Sequence, residues 1–252
     1  MNASYSIALV NYKSLELTKA CLELLREKVQ GANVPVFVVD NYSHDESTDY
    51  LRSLEWINLI ERERAEPETG SAAHGRALDL ALEKVNTDYL FVLHTDTFIY
   101  DCSVLDMMMD QCSSHEVAAV GCREQLDRGM ARTAWRLASR FCKHYTRRSL
   151  RALGMQAKDP KPYREKHLKS FCAVWNVRLM KKLGLRFSMD SRNPGYELQE
   201  RMVALGYKIK FISPRKLFRY LDHIQSGTVS ARGGYSENHR RVHMYNQLMG
   251  SL

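Results

Sequence analysis

Val36–Ser47 reads VFVVDNYSHDES, four apolar residues that give way at once to Asp40, Asn41, Ser43, Asp45 and Ser47. An apolar run this short and β-branched predicts a strand buried on both faces. The residues after it are turn and cap formers, and Ser47 can cap a short helix through Leu54. The same pattern occurs twice more. Tyr5–Val10 (YSIALV) exits into Asn11-Tyr12, and Tyr89–Leu93 (YLFVL) exits into His94-Thr95-Asp96-Thr97. Ile57–Ile60 and Val117–Gly121 read as further strands.

Helical spacing fills the intervals. Ser14 can cap a helix carrying Leu17, Cys21, Leu24 and Leu25 on one face. Ala72–Val85 places Ala77, Leu78, Ala81, Leu82 and Val85 together. Strands alternating with helices predict an α/β fold with a mainly parallel central sheet and flanking helices. Ligands of such sheets bind outside the carboxyl ends of the strands. Three polar exits on one edge therefore mark a single candidate site.

Past residue 122 the alternation stops. Ala131–Leu153 reads as one helix on which Arg132, Arg136, Arg140, Lys143, Arg147 and Arg151 form a stripe. Ala134, Trp135, Ala138, Phe141, Cys142 and Tyr145 make a neighbouring apolar face. Asp159–Pro162 is a turn, Glu197–Leu205 a helix closed by Gly206, and Lys208–Ile212 a strand. The stripe belongs to a charged segment: residues 123–169 hold 14 Lys/Arg and 4 Asp/Glu within a chain of net charge +8. Such a segment attracts the phosphates of a nucleotide, a lipid or a nucleic acid, or else is a solvated face.

Composition bounds the rest. The 252 residues are 44% hydrophobic and 26% charged, as in ordinary globular chains. No apolar run approaches the ~20 residues that span a bilayer, and no secretory leader is evident. The six cysteines form no Cys-x-x-Cys pair, which predicts reduced thiols, a cytoplasmic setting and no zinc site.

Together these stretches resemble glycosyltransferase family 2, whose members have the GT-A fold and use nucleotide-sugar donors. The likeness is strongest over residues 5–121. IALVNYKS resembles the family's first strand and exit. VVDNYSHDES keeps every polar position of its V-D-N-x-S-x-D-x-S motif. GSAAHGRALDLAL resembles the family's stretch of paired Gly and Asn residues, with Gly70 and Gly75 at the glycines and His74 where Asn is usual. TDYLFVLHTDT resembles the acidic metal motif, with Asp96 at the retained aspartate and His94 where a second acidic residue often stands.

The resemblance implies an inverting glycosyltransferase, with residues 1–122 as the nucleotide-sugar half and 123–252 as the acceptor half. The donor site would use Val10, Asn11, Tyr12, Asp40, Asn41, Gly70, His74, His94 and Thr95. Asp96 and His223 would hold a divalent cation, Mn2+ or Mg2+, and His94 as a nitrogen donor would favour Mn2+. Lys216, Arg219 and Arg232 lie near His223 in sequence and could bind phosphate. Aligned on Arg201, Gly206 and Tyr207, the family's catalytic Glu-Asp pair falls on Pro194 and Gly195, which leaves Glu197, then Asp190, as candidate bases. The implied acceptor is a saccharide or lipid-linked glycan of bacterial surface polysaccharide synthesis, with a hexosyl or deoxyhexosyl group transferred. The enzyme would be cytoplasmic or peripheral on the inner membrane face, with 131–151 on anionic lipid. No nucleic-acid motif accompanies the basic segment, so no nucleic-acid partner is expected. The competing readings are a binding protein without turnover, raised by His74, His94 and the displaced base, and a nucleic-acid-binding protein that uses the basic helix.

Overall fold

The computed structural model describes residues 4–29, 31–63, 67–112, 114–124, 129–160, 162–163, 165–189 and 192–224. Its first half alternates as expected: β1 (Tyr5–Asn11), α1 (Leu15–Val29), β2 (Val36–Asp40), α2 (Glu46–Arg52), β3 (Asn58–Glu61), α3 (Gly70–Lys84) and β4 (Tyr89–His94). There follow β5 (Thr97–Ile99), α4 (Ser103–Gln111), β6 (Val117–Cys122) and α5 (Gly129–Ala152). The chain continues through β7 (Cys172–Asn176), α6 (Val177–Leu183), α7 (Tyr196–Ala204), β8 (Lys208–Ile212), α8 (Pro214–Leu217) and β9 (Leu221–His223).

Seven strands form the central sheet in the order β3-β2-β1-β4-β7-β6-β8. Every pairing in it is parallel except those of β7, which runs antiparallel between β4 and β6. The sheet is covered on both faces because its inner strands β1, β2, β4, β6 and β7 are mostly apolar and buried, whereas the edge strands β3 and β8 carry charged residues. Ile7, Leu9, Val36 and Val38 pack with Leu17, Cys21, Leu22 and Leu25 of α1 on one side. Ala8, Val10, Val39 and Val92 pack with Ala77, Leu78, Ala81 and Leu82 of α3 on the other. Each leucine so buried contributes roughly 1.5–3 kcal/mol relative to exposure.

Three expectations need correction. The cap of α2 is Asp45, whose carboxylate accepts from the Ser47 backbone N–H at 3.0 Å; Ser47 sits inside the helix. The alternation does not simply stop after residue 122, since β7 enters the middle of the sheet. The outward face of α5 is also different from that expected. Its Arg row turns toward acidic partners: Arg136 lies 3.1 Å from Glu124, and Arg140 lies 3.5 Å from Glu124 and from Glu165. Arg151 pairs with Asp159. The aromatic face points into solvent, with Trp135 77% exposed.

Two contacts carry this frame to the site. Asp79 on α3 accepts from the backbone N–H groups of Phe187 at 2.7 Å and Ser188 at 3.1 Å, fixing the segment that leads toward α7. Gly75 lets that segment approach, since a Cβ there would meet the Ser188 Cα at 3.1 Å. Farther on, the small β5–β9 sheet pairs Thr97 with His223 and so returns the distant C-terminal strand to the exit of β4.

Candidate functional site

A cavity of about 640 Å³ opens where the predicted edge lies. Val10 and Tyr12 reach it from β1, Asn41 and Tyr42 from β2, and His94, Thr95 and Asp96 from β4. Gly70 and His74 reach it from the beginning of α3, and His223 from β9. The Thr69 side chain caps α3 by accepting from the Ala72 N–H. Gly70 itself has no neighbour among the described residues within 4 Å of a notional Cβ.

Asn11 and Asp40 are not on the cavity lining. Both are buried, at 0% and 3% exposure, in a polar brace. The Asn11 amide donates to Asp40 at 2.8 Å and to Ser47 at 2.8 Å, and its carbonyl accepts from Thr18 at 2.8 Å. Thr48 donates to the other Asp40 oxygen at 2.7 Å. A buried polar atom left without its partner costs ~1–3 kcal/mol, so this brace holds the β1 and β2 exits in register. It supports the loops whose next residues, Tyr12 and Asn41, form the wall.

The centre of the cavity is a cluster of imidazoles around Asp96. The nitrogen and oxygen ligand atoms of His94, Asp96 and His223 all lie within 4.8 Å of one another. His223 Nε2 is 3.2 Å from Asp96 Oδ1, and His94 Nδ1 is 3.7 Å from the same oxygen. Backbone pairing fixes this approach, because the Ile224 N–H donates to the Asp96 carbonyl at 2.9 Å. The His223 ring stacks on Phe171 at 4.6 Å, yet both its nitrogens are buried without a hydrogen-bond partner among the described residues. A buried imidazole with no hydrogen bond, its Nε2 turned to a buried carboxylate, fits a cation held by mixed nitrogen and oxygen donors. His94 Nε2 is within 2.9 Å of the Ser170 hydroxyl, which orients the ring so that Nδ1 faces Asp96.

Burial lowers the His94 pKa to about 3, with His74 adding repulsion, and lowers that of His74 to about 4 against the pull of Asp96. Both rings are therefore neutral at pH 7 and available as lone-pair donors. A consequence is testable. An unfolded chain takes up these protons near 6.5, the ordinary imidazole value, whereas the folded chain resists until about 4 at His74. The stabilising contribution is thus complete above 6.5 and lost as pH falls through that window. The melting temperature of the metal-free protein is expected to decline over this range, and His74→Asn is expected to flatten the decline; an unchanged profile would remove His74 from the account.

Sequence reasoning missed several wall residues. Arg62, with 9% of its side chain exposed, donates to Asn41 at 2.6 Å and lies 2.6 Å from Glu68. Lys169, Ser170, Asn193 and Tyr196 complete the opposite wall. Lys169 Nζ donates to the Tyr196 hydroxyl at 3.3 Å. Their signal was faint, since isolated Arg, Lys and Tyr residues in loops resemble ordinary surface. Glu197, one residue beyond Tyr196, is absent from the lining. Its carboxylate is 2.9 Å from Arg192 and 2.8 Å from Arg201. Lys216 and Arg219 also lie off the lining. Asp190 and Arg232 lie outside the described residues.

Comparison with known proteins places this architecture. The pattern of glycosyl transferase family 2 matches residues 6–182. Comparison with curated proteins gives no match. Among solved structures, the chain is similar to a mannosyltransferase from Pyrobaculum calidifontis in complex with GDP-Man and Mn2+, at 16% identity and a TM-score of 0.59. It is also similar to S. aureus TarS in complex with UDP-GlcNAc, at 14% identity and a TM-score of 0.53. A third likeness is to glucosyl-3-phosphoglycerate synthase from Mycobacterium tuberculosis in complex with phosphoglyceric acid, at 14% and 0.52. The superpositions cover 84%, 89% and 84% of this chain and 55%, 61% and 70% of those chains. This chain therefore spans little more than half of the first two. Such identities establish the shared fold, that of the GT-A glycosyltransferases. With the family pattern extending from β1 through α6, the chain belongs to glycosyl transferase family 2.

Proposed function

We propose that this protein transfers a sugar, hexosyl or deoxyhexosyl, from a nucleotide-diphosphate donor to a saccharide or lipid-linked glycan acceptor, with inversion. The observation that carries this reading is the convergence of His94, Asp96 and His223 in a cavity at the strand exits. Residues 1–122 supply the donor side and residues 123–252 the acceptor side. The process served is bacterial surface polysaccharide assembly at the cytoplasmic face.

In this reading Tyr12, Asn41 and Tyr42 receive the nucleoside at the β1 and β2 exits. Gly70, His74 and Thr95 face the donor between them. His94, Asp96 and His223 would hold a divalent cation, and the imidazole-rich donor set favours Mn2+ over Mg2+. Bound there, the metal would supply charge neutralisation of the leaving diphosphate. Lys169 adds a fixed cation on the acceptor side of the cavity. For the proton of the acceptor hydroxyl we place Asp190 ahead of Glu197, because two guanidinium groups already engage Glu197. The test is release of nucleoside diphosphate from a panel of UDP-, GDP- and dTDP-sugars with Mn2+, followed by phosphorus NMR. Release from one donor class is expected; binding without release in the presence of candidate acceptors would favour the non-catalytic reading, to which Pro194 and Gly195 at the usual base positions lend support.

A further inference from the structure

Helix α5 is a 24-residue amphipathic helix whose apolar side stays largely open among the described residues, the ring of Tyr163 meeting Phe141 at 5.2 Å and Tyr145 at 6.1 Å. None of its described side chains is buried. Trp135 is 77% exposed, Phe141 46% and Tyr145 42%, and Leu153 just beyond the helix is 75% exposed. A helix at this spacing places Ala134, Ala138 and Cys142 between the aromatics, and all three are exposed. At 1.5 Å per residue the face runs for about 36 Å. Large apolar groups concentrated on one side of a long helix mark an interaction surface.

The charges around it identify the occupant. Arg136 and Arg140 are held by Glu124 and Glu165 on the opposite side, so they anchor the helix to the domain. Lys143, in the Arg row, and Arg148, next to Phe141 around the helix, are both exposed. An aromatic face bordered by exposed cations complements an anionic bilayer, with rings at the headgroup–acyl boundary and cations on lipid phosphates. We propose that α5 docks this protein on an anionic lipid surface through the Trp135–Phe141–Tyr145 face, with Lys143 and Arg148 as the cationic contacts.

The helix is also connected to the cavity. Arg140 lies 3.5 Å from Glu165, Glu165 lies 3.5 Å from Lys169, and Lys169 reaches Tyr196 at 3.3 Å on the cavity wall. Docking would thus bring the acceptor side of the site to the membrane. The docking itself does not depend on catalysis and is measured without a donor.

The experiment is flotation of the full chain with phosphatidylcholine vesicles, with and without phosphatidylglycerol, together with tryptophan fluorescence. Trp175 is 2% exposed and Trp56 is packed against the core away from α5, so an emission shift on vesicle addition is expected to come mainly from Trp135 and to disappear in Trp135→Phe. Binding only to the anionic vesicles is expected. Trp135→Ser with Phe141→Ser should weaken it at least tenfold or so, in line with the loss of two large apolar contacts. Lys143→Glu with Arg148→Glu should weaken it while leaving the apolar face intact. All four side chains are exposed, so unchanged melting temperatures verify folding. No binding to either vesicle would overturn the proposal, as would binding that survives the serine pair. A dimer in sedimentation that the serine pair dissolves, without vesicle binding, would assign the face to a second copy and equally overturn it.

Discussion

Replacing Asp96 with Asn is expected to lower turnover about a thousandfold while leaving the melting temperature of the metal-free protein close to that of the parent. Asp96 is 5% exposed, at the end of a strand buried on both faces, with His94 and His223 aimed at one of its oxygens. The amide keeps the shape and can still bond an imidazole nitrogen, but it lacks the negative charge a hard cation requires. The readout that separates this from general damage is metal affinity. Mn2+ titration should show binding in the parent and a loss of at least tenfold in the variant. Full activity in Asp96→Asn would remove this residue, and the cluster built on it, from the mechanism.

The second large effect concerns the proton acceptor. Asp190→Asn is expected to reduce turnover by roughly 10²–10⁴-fold with donor binding kept, and Glu197→Gln by less than tenfold. The distinction rests on what Glu197 already does. Arg192 approaches it at 2.9 Å and Arg201 at 2.8 Å, while Arg192 also holds Glu200 at 2.7 Å. The Arg192 hydrogen bond, followed by that of His167 at 2.9 Å, lowers the Glu200 pKa to about 2. Glu197 thus belongs to a charge network that sets the start of α7, beside a Gly195 whose φ of 83° only glycine adopts without strain. Glu197 is half-buried, and losing one member of such a surface network costs little. If Glu197→Gln abolishes turnover and Asp190→Asn does not, the assignment is reversed and Glu197 must reach the acceptor despite its two arginines.

The donor side was legible because its signals are local. Each of β1, β2 and β4 is an apolar run followed by polar residues, and the sheet puts their exits on one edge whatever the loops do. Nine singled-out residues, Val10, Tyr12, Asn41, Gly70, His74, His94, Thr95, Asp96 and His223, accordingly line the same cavity. Asn11 and Asp40 show the limit of that logic. A polar residue at a strand end either faces a ligand or braces its neighbour's strand, and only the partners, here Thr18, Ser47 and Thr48, decide which. The acceptor side was less legible for a different reason. β7 is only five residues long, between a polar loop and a helix, and inserting it antiparallel between β4 and β6 is a long-range decision. On α5 the periodicity gave two faces correctly, but periodicity carries no sign. Glu124, Glu165 and Asp159 turned the Arg row inward, and no local feature of the helix contains that information.

The central claim is that the cavity binds a nucleotide together with a divalent cation. Its most direct test is the thermal stability of the purified protein with UDP, GDP, dTDP or CMP, each with and without Mn2+. A ligand that binds only the native state must raise the melting temperature, by an amount set by its concentration relative to its Kd. The account predicts a rise with one of these nucleotides that requires Mn2+ and is absent in Asp96→Asn. No rise with any nucleotide in the presence of Mn2+ would contradict it.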